Sequence, residues 1–200
     1  MDKLDTGDLI LFDYQGPSYM YSIFASIIRH STDSSYSHIG IVVKDPIWID
    51  KNLKGLYLWE SGWEGIPDCE DNKCKFGVQI TPLYEALNNY QGSIKYRKLI
   101  KGKDYITDEK LTEINKTVHD KPYDLNIIDW LGALIRKDWT SKKTNKFWCS
   151  AFIGYVLNRL NFIDDSVDWS TLRPCDFSSS KNYLKFKNDC MYGTDIDLKL

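Results

Sequence analysis

Apolar residues in this chain fall into two patterns: short continuous runs bounded by turn residues, and stretches spaced three or four apart. Leu9 to Phe12, after Thr6-Gly7 and before Gln15-Gly16-Pro17, is a run of the first kind and predicts a buried strand over 8–13. SHIGIVV (37–43), LYLWES (56–61), GVQITPL (77–83) and SIKYRKLI (93–100) predict four more, and the second and third of the five should pair as antiparallel neighbours. A further strand is expected around Tyr183 to Phe186. Helical spacing appears over 18–29 (Met20, Phe24, Ile27, Ile28), in a short segment YEALNNY, from Asp108 to just before Pro122, over 125–136, and in FWCSAFIGYVLNRLNF. In that last helix Phe152, Val156 and Leu160 share a face, and Thr144 or Asn145 is the expected N-cap, which puts Cys149 in the first turn. Residues 62–75 carry charge, Gly and Pro without period, and 137–146 are polar and basic; both read as loops that border the site.

Composition narrows this picture. With 200 residues, 42% hydrophobic and 14% aromatic, the chain is expected to form one domain over 1–200 with its own core. A net charge of -2 and no long basic run point away from nucleic acid. No signal peptide or membrane-spanning run is expected, so the reading is a soluble cytoplasmic protein. The five cysteines (Cys69, Cys74, Cys149, Cys175, Cys190) form no regular framework and read as thiols of a reducing compartment. Cys69 and Cys74 supply half of a zinc ligand set with no second half, so neither a metal nor another cofactor is expected.

Chemistry enters with Cys149. The partial positive charge of a helix N-terminus favours thiolate over thiol, and the unsatisfied N–H groups there can hold an oxyanion. A base is also needed. Of the three histidines, His30 ends an amphipathic helix and His119 ends a polar one, whereas His38 opens the most regular strand. Alternation puts His38, Gly40 and Val42 on one face, with Gly40 leaving space beside the ring. A third group usually orients an imidazole; Glu60, ending the neighbouring strand within an apolar run, is preferred over Glu64.

The order of these segments, GDLILF, SHIGIVV, LWESG and, after a long gap, FWCSAFIGYVL, resembles the circularly permuted branch of the NlpC-like papain superfamily, which includes YiiX-like bacterial proteins and a poxvirus group. The likeness spans residues 5 to about 177. It implies an α+β permuted papain-like fold: an antiparallel β-sheet or partial barrel packed against helices, with the nucleophile at a helix N-terminus. It assigns Cys149 as nucleophile, His38 as catalytic histidine and Glu60 as its orienting partner, while Pro122-Tyr123-Asp124 and LRPCDF resemble the family's flanking turn motifs. The implied activity is hydrolysis of an amide or ester in a peptide or lipid through a thioester. An acyltransferase is one alternative. An inactive peptide- or lipid-binding module is another, favoured by Ala151 where the family commonly has an acid.

Overall fold

The computed structural model describes residues 3–16, 35–125, 144–181 and 183–199. The helix expected over 18–29 and all but the first residue of that over 125–136 lie outside them, as does most of the 137–146 loop. Six strands are described: β1 (Leu9–Tyr14), β2 (His38–Lys44), β3 (Leu56–Gly62), β4 (Gly77–Pro82), β5 (Gly92–Lys101) and β6 (Met191–Asp197). They form one open antiparallel sheet, not a closed barrel, in the order β4-β3-β2-β1-β5-β6. The helices are α1 (Leu83–Asn89), α2 (Asp108–Val118) and α3 (Cys149–Arg159).

Both faces of this sheet are covered, which explains why its central strands read as continuous apolar runs. On one face Leu9, Leu11, Ile39, Ile41, Trp59 and Ile80 pack with α2 and α3. On the other, Ile10, Phe12, Val42, Leu58 and Ile94 pack with Leu83, Ala86 and Leu87 of α1. Every residue of α3 from Cys149 to Leu157 is buried, and its Phe152 meets Trp59 edge-on at 5.4 Å between ring centres. Among the described residues no helix is long and apolar enough to cross a membrane. All five cysteines are free thiols.

Two sequence expectations are corrected. No strand forms at 183–186, where the only ladder contact is a single bridge from Phe186 to Ile163. The sixth strand is Met191–Asp197, whose pattern buries Tyr192 and little else; it is an edge strand held by backbone pairing to β5, so it carries no apolar alternation to read. The last helix begins later than expected, at Cys149, and its N-cap is Trp148 instead of Thr144 or Asn145. The reason is that Phe147 is already committed to another partner: its N–H donates to Pro122 O (3.1 Å) and its carbonyl accepts from Asp124 N (3.1 Å).

Gly154 lies close against the turn at Trp169–Thr171. A Cβ there would stand 2.6 Å from Leu172 Cδ1 and 3.0 Å from Trp169 O. Gly154→Ala is therefore expected to destabilise the fold by about 1–3 kcal/mol, despite alanine's better helix propensity. Urea unfolding of the two proteins checks this; equal midpoints would show that the turn yields freely.

Candidate active site

Cys149 is placed by its anchors more than by its own contacts. The bridge from Tyr123 to Phe147 fixes the chain two residues before it, and Ser61 Oγ on β3 donates to the Phe147 carbonyl at 2.7 Å. On the far side Ser150 Oγ (2.7 Å) and Trp148 Nε1 (3.4 Å) both donate to Leu172 O. Because Cys149 is the first helical residue and Trp148 makes no side-chain cap, the first-turn N–H groups at Cys149, Ser150 and Ala151 have no partner within the helix.

His38 is the first residue of β2. It alternates with Ile39, so its ring belongs to the face of the sheet opposite the one that α3 covers. Only at the strand's end can groups from both faces reach one ring. From its own face Glu60 Oε2 lies 2.5 Å from His38 Nε2. From the other comes Cys149, near enough for its thiol to act on the imidazole. With Nε2 occupied by Glu60, Nδ1 is the nitrogen left for sulfur. The structure thus brings together Cys149, His38 and Glu60, and adds Glu64 beside them.

Burial by itself would push the His38 imidazole down, but the influence of Cys149, and then the charge of Glu64, outweigh it and the net shift is upward. Glu60 is fully buried and is pushed up by that burial, against the lowering influence of Glu64 and of the Gln79 amide. Glu64 is also pushed up, first by burial and then by the charge of Glu60. Gln79 Nε2 donates to Glu60 Oε1 at 3.2 Å, so both oxygens of Glu60 are engaged.

Sequence reasoning left two residues here without a role. Tyr123 appeared only within a turn motif; its phenol lies beside the Cys149 sulfur and backbone amide, and burial and that sulfur hold its pKa well above the ordinary value. Gln79 is a polar residue inside a buried strand, and that contrast was the available signal. Gly40 was expected to make room for the imidazole, yet a Cβ there would meet Leu58 Cδ1 at 2.5 Å; it is Gly62 whose missing side chain leaves space for the ring. The other histidine described, His119, pairs with Glu70 at 2.6 Å and Asp120 at 3.3 Å; His30 lies outside the described residues.

No family model matches the chain, and no curated protein does. Among solved structures, the chain is similar to the crystal structure of the metalloprotein YiiX from Escherichia coli O157:H7, DUF1105, with a TM-score of 0.50 and 17% identity over 98% of this chain and 96% of that one. The likeness is one of fold. The chain has a YiiX-like mixed α/β fold.

That neighbour's description as a metalloprotein raises the question of whether the donors here suit an ion. One ligand atom each of His38, Glu60 and Glu64 lies within 4.8 Å of the others. However, His38 Nε2 and Glu60 Oε2 are 2.5 Å apart, a hydrogen-bond distance, whereas two donors on one zinc ion stand about 3 Å or more apart. The second such group, Asp71, His119 and Asp120, already surrounds a cation: Lys75 Nζ lies 3.2 Å from Asp71 and 2.5 Å from Asp120. Neither set, as placed, fits a metal.

A Cβ at position 62 would stand 3.1 Å from His38 Cε1 and 3.4 Å from Nε2. Gly62→Ala should displace the ring and slow alkylation of Cys149 roughly tenfold while changing stability by about 1 kcal/mol or less. Iodoacetamide rates, read by mass spectrometry of the Cys149 peptide, check the first claim. An unchanged rate would mean that the ring's position does not govern the thiol.

Proposed function

We propose that this chain is a cysteine hydrolase of the permuted, NlpC-like papain type, acting on an amide or ester of a peptide or lipid. The observation that carries the reading is one imidazole set between a buried carboxyl and a thiol at the start of a helix. His38 takes the proton of Cys149, and the thiolate adds to the substrate carbonyl. The oxyanion so formed lies at the helix N-terminus, where the Cys149 N–H and the Tyr123 hydroxyl are both at hand to donate. His38 then protonates the leaving amine or alcohol, leaving a thioester. It next removes a proton from water as water attacks, and the acid and free thiol are regenerated. Glu60 keeps the imidazole oriented and stabilises its charged form.

Ala151 does not argue for an inactive module. It is 3% exposed within the main core, where a carboxylate would need a partner of its own, and the carboxyl serving His38 comes from β3 instead.

In a Cys74→Ser background, which removes the exposed thiol, a thiol-reactive acyl probe at neutral pH is expected to label Cys149. Labelling should vanish in Cys149→Ala and slow by roughly 10²–10⁴-fold in His38→Ala. Undiminished labelling of the Cys149→Ala protein would refute the assignment. Products formed with and without an added amine or lipid alcohol separate a hydrolase from an acyltransferase of the same fold.

A further inference from the structure

Two carboxyls lie against one imidazole, and the mechanism above uses only the first. Glu60 and Glu64 each offer an oxygen within 4.8 Å of the other's and of a His38 nitrogen. Glu60 is fully buried and Glu64 half-buried. Two ionised carboxylates in such a place repel strongly, and a hydrogen bond between them requires a proton.

Among the described residues, the groups around the pair leave a proton as the means of neutralising it. From β2 comes His38, already occupied by Glu60 on Nε2. β4 supplies the Gln79 amide. The chain after α1 brings Tyr90, which feels the charges of Asp13, Glu64 and Tyr14, and α3 brings Cys149 through His38. Among the described residues no lysine or arginine is ion-paired with either carboxyl.

We propose that Glu64 is a positioning residue: it and Glu60 share one proton, with Glu64 as donor, so that Glu60 faces His38 as a fixed carboxylate acceptor. Glu64 sits four residues after Glu60, just past the end of β3, where chain geometry can bring it back over the strand's last inward-facing carboxyl. The positioning role rests on the reading of Cys149 and His38 as a catalytic pair; the shared proton does not.

The two parts are therefore tested separately in the full-length chain. For the proton, a group protonated in the fold above the ordinary glutamate range makes the folded state bind more protons than the unfolded one, so stability is greatest below that range and falls as pH rises through the folded-state titration. Wild type should lose stability between about pH 5 and 9 with a slope near one proton, and carbon-13 NMR of glutamate carboxyls should show one titrating far above the rest. Glu64→Gln, which keeps a donor but has no proton to lose, should remove both signals. Their persistence in that variant, or ordinary titration of every glutamate in wild type, would overturn the shared proton. For positioning, Glu64→Ala should slow Cys149 alkylation at pH 7 about tenfold and Glu64→Gln should recover it to within about threefold of wild type. An unaffected rate in Glu64→Ala would overturn the positioning role. Should neither wild type nor variants show an activated Cys149, the triad reading and the positioning role fall together while the proton result stands on its own.

Discussion

The backbone of Phe147 is the point on which the site depends. Its carbonyl receives the Asp124 N–H and the Ser61 hydroxyl, and its own N–H goes to Pro122. Three separated parts of the chain, the end of β3, the 122–124 segment and the approach to α3, are joined at that one residue. A residue bridged in this way cannot also lie inside a helix, so α3 starts two residues later and Cys149 becomes its first helical position. The same bridge sets Tyr123 against the cysteine. The ring of Phe147, buried among Phe152, Tyr155 and Trp169, ties this arrangement to the core. The helix start is thus set by a strand-like contact and by packing, with no capping side chain involved.

The sheet supplies the complementary constraint. It is covered on both faces, so a side chain in the middle of a strand can meet groups from one side only. An imidazole that must touch a carboxyl on β3 and a sulfur on α3 has to sit where the sheet ends. His38 opens β2 and Gly62 closes β3, and with no side chain on the glycine the ring can lie over that corner.

Much of this was legible in the residues, for identifiable reasons. The central strands could be read because two-sided burial writes itself as unbroken runs such as LILF and IGIVV. The pairing of β2 with β3 followed from two such runs being consecutive along the chain, and it put Glu60 opposite Gly40, two positions in from His38. The cysteine, histidine and acid could be chosen because each is the polar exception at the end of an apolar element. What could not be read depends on backbone pairing: β6 has no apolar stripe, and the true start of α3 depends on a bridge to a segment more than twenty residues earlier. Glycine roles were half legible. Two glycines lie near the ring, and alternation alone did not distinguish Gly40, which makes way for Leu58, from Gly62, which makes way for the imidazole.

The polar set beneath the ring is also energetically uneconomical as plain structure. Gln79 commits its amide N–H to Glu60, and its own Oε1 is left buried with no partner. Thr81 Oγ1, two residues along the same strand and on the same face, is likewise buried without one. A buried unsatisfied polar atom costs about 1–3 kcal/mol, and a buried charged or polar pair can often be replaced by apolar residues of similar volume at no loss of stability. A fold selected for packing alone would gain from leucine or valine at these positions. Gln79, which lowers stability in this way, holds the carboxyl that lies against the His38 ring, and that contact accounts for it better than packing does. Fixing the tautomer of the imidazole takes an acceptor that cannot rotate away, and Glu60, held on one oxygen by Gln79 and on the other by the ring itself, meets that requirement.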